Sequence, residues 1–195
     1  MKSPYRNTID SEYLNAPHVE IRWKKTLSFI DKFHADSGLD IGDRTPFTDQ
    51  LEAHYNCPFA NTTIDLDEEG LTGEYDVITA MEIIEHLFNP LHLLKEISSV
   101  LKEDGKLYLS TPKGKPHFLW SKDHFHEMNE KSILALIERA GFRVIRKEEI
   151  RIHPIKFYFT GIRLSLYKYF FNLFLIPYVF RVISFSSSTE SLSYH

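Results

Sequence analysis

Cysteine is almost absent from this chain, since Cys57 is the only one among its 195 residues. A single thiol excludes an intrachain disulfide and a cysteine-rich metal site. The first residues also lack the apolar stretch of a secretory signal. These absences predict a cytoplasmic protein, and a chain of this length can bury about 70% of its unfolded surface in one core.

Basic charge is scarce in most of the chain. The net charge is −4, but residues 151–195 hold five basic residues and one acid, which leaves −8 on the first 150 residues. No stripe of lysine and arginine in that acidic part could follow a phosphate backbone. The composition therefore argues against a nucleic-acid partner.

A long apolar run of the transmembrane kind is missing too, although the C-terminal part is rich in aromatic residues. Residues 151–195 carry 12 of the 27 aromatic side chains. The longest uncharged run there, Tyr169 to Phe180, has 12 residues, fewer than the ~20 that a membrane-spanning helix needs. We therefore predict a domain at 1–155 followed by a helical tail at 156–195 with a flexible Ser-rich end.

Three interpretations of the apolar segment 156–185 stay open. It could form an in-plane helix on the inner membrane face, with Arg163, Lys168 and Arg181 directed at lipid phosphates. It could form a homodimer surface or a substrate lid. It could also simply pack against the core of the domain.

Strands alternate with helices along residues 36–150, after a first helix predicted at 11–34. This alternation is typical of an α/β fold with a doubly wound, mostly parallel sheet. The predicted strands lie at 39–41, 62–66, 75–79, 106–110 and 142–150, and the later helices at 90–101, at 129–140 and after Pro46.

Acidic and histidine side chains follow the strand at 75–79 in the segment MEIIEHL. On a helix, Glu82, Glu85 and His86 would share one face. Open α/β sheets bind ligands at the carboxyl ends of strands, and these side chains suit a divalent cation. The alternative is a short helix whose polar face is solvated and whose acids complement the helix dipole.

Three segments carry a resemblance to a known family: LDIG at 39–42, YDVITAMEIIEHLFNPLHLLKEISSVLKEDGKLYLSTP at 75–112 and HFHEMNEKSILALIERAGF at 124–142. In their order they resemble the class I S-adenosylmethionine-dependent methyltransferases, in the Glu-His branch that includes quinone-pathway and small-RNA O-methyltransferases. The resemblance implies a Rossmann-like fold and S-adenosyl-L-methionine as cofactor. It assigns cofactor contacts to Asp40, Gly42, Ala80 and Met81.

Two departures from the family lie in the first half. Where members carry several glycines that let the backbone approach the cofactor, only Gly42 remains. Arg44 is then either a contact for the cofactor carboxylate or a surface charge. Only 34 positions separate Gly42 from Asp76, so one strand–helix unit looks deleted. Asp65 is the candidate ligand of the cofactor ribose, or else an ordinary turn acid.

The resemblance also implies roles for the acidic and histidine side chains. A Mg²⁺ or Mn²⁺ ion would be held by Glu82, Glu85, His86 and His124, with His126 as the substitute for His124, and would lower the pKa of a substrate hydroxyl. Without an ion, His86 or His124 is the candidate general base. A third interpretation gives these residues no catalytic role.

The expected function is methyl transfer from S-adenosyl-L-methionine to an oxygen of a small or lipid-linked acceptor. The rival is a non-catalytic methyltransferase-like binding or scaffold module that has lost its affinity for the cofactor. The missing glycines favour the rival, whereas the polar side chains after the strand at 75–79 favour the enzyme.

Overall fold

The structure is a computed structural model and describes residues 17–151 and 179–187. Its helices are α1 (Pro17–Phe29), α2 (Pro46–Tyr55), α3 (Pro90–Val100) and α4 (Glu130–Arg139). Its strands are β1 (Gly38–Asp40), β2 (Phe59–Asn61), β3 (Tyr75–Met81), β4 (Leu101–Pro112), β5 (Phe142–Arg151) and β6 (Val179–Ser187). Two short 3₁₀ turns, Ile84–His86 and His117–Leu119, follow β3 and β4.

The strands form one mixed sheet in the order β2-β1-β3-β4-β6-β5. The pairs β2–β1, β1–β3 and β3–β4 are parallel, and β6 runs antiparallel to both of its neighbours. The predicted doubly wound, mostly parallel α/β sheet is therefore confirmed.

Both faces of the sheet are covered, because successive strand residues point to opposite sides. Ile78 and Leu107 belong to the core that α3 and α4 cover, whereas Val77 and Tyr108 belong to the core beneath α1 and α2. All four side chains are fully buried. Near-continuous apolar strands are what a sheet covered on both faces requires.

The predicted starts of three helices are confirmed, because each begins at a side chain that caps its free N–H groups. Thr45 accepts a hydrogen bond from the N–H of Phe47 ahead of α2. Asn89 accepts a hydrogen bond from the N–H of His92 ahead of α3. Asn129 accepts one from the N–H of Ser132 ahead of α4. These starts depend on local sequence alone.

The first helix is shorter than the predicted span of 11–34. It ends at Phe29, and residues 11–16 lie outside the described part of the chain. Beyond Phe29, the N–H of Asp31 donates to the hydroxyl of Tyr108 at 3.1 Å, and the hydroxyl of Tyr55 donates to the carbonyl of Asp31 at 2.9 Å. These tertiary bonds hold the chain in a non-helical path.

The second strand also differs from the prediction, since it is β2 and not residues 62–66. It pairs directly with β1 and forms the edge of the sheet among the described residues. Residues 62–66 leave the sheet because Thr62 bonds to the loop after β1, with its N–H donating to the carbonyl of Gly42 at 3.1 Å.

The predicted helical tail is wrong over β6. Val182, Ile183 and Phe185 are fully buried between β4 and β5. Arg181, which would face lipid in one of the three interpretations, is 2% exposed, and its Nε lies 3.6 Å from the carboxylate of Glu149. For these residues, packing in the core is the interpretation that holds.

The remaining predictions for the tail concern residues 152–178 and 188–195, which lie outside the described residues. In the part of the chain that is described, no helix is long and apolar enough to cross a membrane.

Candidate active site

The carboxyl ends of β1 and β3 lie side by side in the sheet, with Asp40 opposite Thr79. The chain leaves β1 toward α2 on one face, whereas the chain after β3 packs Ile84 and Leu87 into the core on the other face. Such a divergence of connections is a topological switch point, where open α/β sheets bind ligands.

Asp40 lies at the end of β1 and is 6% exposed. Its carboxylate oxygens accept hydrogen bonds from the hydroxyls of Thr48 and Thr79, each at 2.6 Å. Burial raises the pKa of Asp40 to about 6, against the opposing effect of these hydrogen bonds. Its side chain therefore joins α2 to the two central strands, and a cofactor contact through Asp40 stays a prediction.

Gly42 is the glycine that the loop after β1 retains. It has a φ of 107°, a conformation that favours glycine. Its N–H donates to the hydroxyl of Thr62 at 2.8 Å, and the side-chain amide of Asn61 donates to its carbonyl at 3.3 Å. Gly42 thus gives this end of β1 the left-handed turn that brings its loop to the switch point.

Arg44 extends along the exposed side of α2. Its guanidinium pairs with Asp49 and Glu52, each at 2.6 Å. The structure therefore gives Arg44 surface partners, and its proposed contact with a cofactor carboxylate stays a prediction.

Asp65 lies four residues beyond the end of β2, in a turn. Its carbonyl accepts from the N–H of Glu69 at 2.8 Å, and its carboxylate accepts from the N–H of Asp67 at 3.1 Å. The residue at the strand end itself is Asn61. No sequence signal marks this amide, whose Nδ2 donates to the carbonyl of Asp40 at 3.0 Å.

Glu82 does not share a helical face with Glu85 and His86, contrary to the prediction. It follows Ala80 and Met81 at the end of β3 and has a φ of 56°, which takes it out of any helix. Its carboxylate accepts from Arg22 at 3.1 Å and from the hydroxyl of Ser110 at 2.9 Å.

The Glu82–Arg22 ion pair connects the site to α1, because Arg22 lies on that helix and is buried. No local signal in the sequence marks Arg22 as the partner of Glu82, because the two residues lie sixty positions apart. Glu82 therefore bonds toward α1 at the strand end. It does not belong to the cluster of Glu85, His86 and His124.

Glu85, His86 and His124 form a cluster whose potential ligand atoms all lie within 4.8 Å of one another. Glu85 is 1% exposed, and neither of its carboxylate oxygens has a hydrogen-bond partner in good geometry. Burial, and then the charge of Glu82, raise the pKa of Glu85 well above its ordinary value, although its own N–H and the hydroxyl of Thr111 act to lower it. A buried carboxylate without a partner is costly and needs a proton or a cation beside it.

The two histidine rings of the cluster are both held through Nδ1. Nδ1 of His86 lies 2.9 Å from the carbonyl of Asp123, and Nδ1 of His124 lies 2.9 Å from the carboxylate of Glu127. The ring centroids are 4.8 Å apart and the planes are perpendicular. Burial lowers the pKa of His86, with the neighbouring His124 acting in the same direction. His86 is therefore neutral near pH 7, as a base or metal ligand must be.

His124 and not His126 completes the cluster, so the first of the two sequence candidates is the one that the fold selects. The N–H groups of Phe125 and His126 both donate to the carbonyl of Glu85, at 2.8 and 3.2 Å. These bonds tie the loop after β4 to the 3₁₀ turn after β3. They bring together residues that lie almost forty positions apart in the chain.

The donor set of the cluster fits a divalent ion. One carboxylate and two imidazoles suit borderline cations, and the unpartnered oxygens of Glu85 are the polar atoms that an ion would satisfy. The structure thus brings three of the four predicted ligands together and separates Glu82 from them, and a metal at this cluster stays a prediction.

Comparison with known proteins agrees with the fold. Ubiquinone biosynthesis O-methyltransferase of Coxiella burnetii (strain Dugway 5J108-111) is 25% identical over 147 residues, which cover 63% of this chain and 57% of that protein. The chain thus spans a little over half the length of this curated relative.

Two solved structures, both in complex with S-adenosyl-L-homocysteine, resemble the chain in fold. The N-methyltransferase NodS of Bradyrhizobium japonicum gives a TM-score of 0.62 at 12% identity and covers 94% of each chain. The O-methyltransferase from a trans-AT PKS multienzyme of Brevibacillus brevis gives 0.58 at 13% identity, covering 96% of this chain and 82% of the other.

A family model described as a methyltransferase domain matches residues 15–147. This range contains α1, the strand-end loops, the cluster and all but the end of β5. Since the match covers more than half of the sequence and the sheet has the same Rossmann-like architecture, the chain belongs to the methyltransferase domain family.

Proposed function

We propose that this protein is a methyltransferase that binds S-adenosyl-L-methionine and methylates a hydroxyl oxygen of a small or lipid-linked acceptor. The observation that carries the proposal is the buried, unpartnered carboxylate of Glu85 beside His86 and His124 at the strand ends. A protein that serves only as a scaffold has no use for such a costly arrangement.

We assign the cofactor to the ends of β1 and β3, where the topological switch point lies. The left-handed turn at Gly42, together with the neighbouring strand end at Ala80 and Met81, supports a contact with its methionine part. Asn61 supports a contact with its ribose through an amide in place of the usual acid. When bound, S-adenosyl-L-methionine supplies an electrophilic methyl group, and the protein then has mainly to align the acceptor oxygen with it.

Proton removal from the acceptor falls to the cluster. A neutral imidazole whose Nδ1–H is bonded to the protein keeps Nε2 free to accept a proton, and both His86 and His124 have such a bond at Nδ1. The lowered pKa of His86 makes it a weak base, whereas the ring of His124 is oriented at Nδ1 by the carboxylate of Glu127. We therefore assign the general base to His124.

A divalent ion is compatible with the same residues. Glu85, His86 and His124 would hold it, and it would lower the pKa of a bound hydroxyl. In that case the bonds at Nδ1 would orient the two imidazole rings so that Nε2 is available to the ion. Glu82 would stay outside the ligand set, because Arg22 and Ser110 already bond to its carboxylate.

Two exposed phenylalanines beside the cluster support an apolar acceptor. Phe88 and Phe125 stack with ring centroids 4.0 Å apart, although they are 59% and 44% exposed. They lie two positions from His86 and one position from His124. An apolar entrance of this kind suits an aromatic ring or a prenyl chain better than a phosphate backbone. We extend the proposal to a cytoplasmic protein that meets a lipid-linked acceptor at the inner membrane face.

The rival proposal is a binding module without activity. It is favoured by the loop after β1, in which Gly42 is followed by Asp43 and Arg44, and by the pairing of Arg44 with α2. Such a module would keep the fold and fail to bind the cofactor.

The test of the proposed function is a transfer assay with methyl-labelled S-adenosyl-L-methionine. The acceptors are catechols with and without a prenyl chain, each assayed with Mn²⁺ and with a chelator. We expect labelled methyl ether on a phenolic oxygen of at least one acceptor, with release of S-adenosyl-L-homocysteine, and no labelled product with His124→Ala. Absence of transfer from a folded protein that does not bind the cofactor would favour the rival.

A further inference from the structure

Glu127, which is not among the predicted site residues, places its carboxylate against the imidazole of His124. Glu127 follows His124 by three positions, at the end of the loop after β4, and its side chain is fully buried. One of its oxygens lies 2.9 Å from Nδ1 of His124, which is itself mostly buried. A buried carboxylate can only accept a hydrogen bond, so the proton of a neutral His124 belongs on Nδ1.

The other oxygen of Glu127 faces a cation. The ammonium of Lys115 lies 3.3 Å away, and this opposite charge offsets the cost of burying the carboxylate. Lys115 is held in turn, because the indole N–H of Trp120 donates to its carbonyl at 2.8 Å. Glu127 is thus fixed between a donor-only ammonium and an imidazole.

The backbone around Glu127 is packed tightly as well. The N–H of Gly114 donates to the carbonyl of Met128 at 3.1 Å, and a Cβ at Gly114 would come within 2.8 Å of the carbonyl of Glu127. The absence of a side chain at Gly114 therefore allows the start of the loop to approach the backbone of residues 127–129 at its end. This closure leaves Glu127 little freedom to move away from His124.

We propose that Glu127 is a positioning residue that sets the tautomer of His124. With the proton on Nδ1, the lone pair of Nε2 stays free for an acceptor proton or a divalent ion. His86 reaches the same state through the carbonyl of Asp123, so the two imidazoles offer matching Nε2 atoms beside Glu85. The inference rests on the proposed function for its consequence, whereas the tautomer itself is a property of the protein alone.

The isosteric variant Glu127→Gln tests whether Glu127 sets the tautomer of His124. Lys115 can only donate hydrogen bonds, so the glutamine carbonyl turns toward it and the glutamine amide turns toward His124. Nδ1 must then accept, and the proton moves to Nε2. A change of one atom is thus expected to reverse the tautomer while the shape of the side chain is retained.

The measurement is a long-range ¹H–¹⁵N spectrum of metal-free protein at about pH 8, where imidazoles are neutral. His124→Ala assigns the signals. We expect Nδ1–H in the wild type and Nε2–H in Glu127→Gln. The matched control is Glu130→Gln, since Glu130 pairs with Lys147 on the surface, and it should leave the spectrum of His124 unchanged. An Nε2–H tautomer in the wild type, or no change in Glu127→Gln, would overturn the proposal.

Mn²⁺ binding by the same proteins, followed by electron paramagnetic resonance, tests the consequence. Residues that orient metal-bound histidines typically change affinity by about 10- to 100-fold, and we expect a loss of that size in Glu127→Gln but not in Glu130→Gln. Unchanged affinity in Glu127→Gln would refute the positioning role. An Nδ1–H wild type that binds neither Mn²⁺ nor S-adenosyl-L-homocysteine would leave the tautomer assignment standing and reject the proposed function instead.

Discussion

Two glutamates three positions apart have different roles in this site. Glu82 is bonded to Arg22 and Ser110, whereas Glu85 is buried without a hydrogen-bond partner. The left-handed backbone at Glu82 separates them, because it turns the chain before the 3₁₀ turn begins. We therefore expect Glu82 to be structural and Glu85 to be functional.

The variant Glu85→Gln tests this division. It removes the charge and keeps the volume, so we expect Mn²⁺ binding to be lost and methyl transfer to fall by roughly 10²-fold or more. The melting temperature of the metal-free protein should stay nearly the same, since burial already favours the neutral carboxyl and glutamine keeps its volume. Activity assays and thermal melts check both, with the surface variant Glu130→Gln as control. A clear loss of stability in Glu85→Gln would show that the carboxylate is structural.

Asp40 should make stability depend on pH. Its pKa is raised from 3.8 to about 6, so the folded state holds the proton more tightly than the unfolded state does. Its contribution is complete below about pH 4 and is lost as the pH rises through 6. Relative to Asp40→Asn, the wild type should lose about 3 kcal/mol of unfolding free energy between these limits, the equivalent of roughly two pKa units.

Urea unfolding of both proteins across this pH range measures the difference. Asp49→Asn, a surface change on α2, should follow the wild-type curve. A difference between wild type and Asp40→Asn that does not change with pH would contradict the burial of Asp40 as the cause of its raised pKa.

At the scale of elements, β6 completes the sheet from the far end of the sequence. It lies between β4 and β5 and pairs with both along most of its length. Phe185 is fully buried and contacts the ring of Phe142, with centroids 5.9 Å apart. The C-terminal region is therefore part of the folding unit, at least through this strand.

The variant Phe185→Ala should lower the unfolding free energy by about 3–5 kcal/mol, the usual cost of truncating a buried phenylalanine. Ile145→Ala is the matched control, because Ile145 lies on the neighbouring β5 but is exposed, and its change should be within about 0.5 kcal/mol. Chemical denaturation measures both. Equal effects would mean that β6 does not contribute to the core.

The loop between β4 and α4 delivers His124 to the cluster, and its closure depends on Gly114. In Gly114→Ala, the new Cβ would meet backbone atoms of Glu127 and Asn129 at 2.8 and 2.9 Å, so the loop must shift. A shift of about 1 Å at a catalytic group costs up to about 10²-fold in rate. We expect that loss, measured as kcat/KM, with a much smaller change in melting temperature.

A matched glycine substitution isolates the effect of the loop. At Gly70, a Cβ would meet only the flexible end of the Glu96 side chain. Gly70→Ala should therefore keep its activity. An unaffected Gly114→Ala protein would show that the loop tolerates displacement and that His124 is not held by its closure.

For the whole molecule, the features that sequence could predict are local ones. Asn89 and Asn129 mark helix starts through their own side chains, and the apolar strand before Glu82 is evident from composition. The placement of Glu82 depends on Arg22, and the placement of β6 depends on β4 and β5, all distant in sequence. Tertiary pairing of this kind leaves no periodic signal, which is why the shared helical face and the tail helix over β6 were wrong predictions.

The candidate site was predictable in part for the same reason. The motif at 81–87 indicates Glu85 and His86 directly, and the sequence prefers His124 to His126 without showing the contacts that decide between them. The choice follows from the backbone bonds to Glu85. Glu127 lies only three positions from His124 in the sequence, but its role is evident only from the contact between the two side chains.

We propose that the cofactor site is functional although its loop has lost glycines. Calorimetric titration of the protein with S-adenosyl-L-homocysteine, with and without Mn²⁺, tests this, and Glu85→Gln is the variant that should lose only the effect of the metal. We expect both proteins to bind S-adenosyl-L-homocysteine with micromolar affinity. Absence of binding to the folded wild-type protein in either condition would contradict this proposal and leave a methyltransferase fold that serves as a binding module.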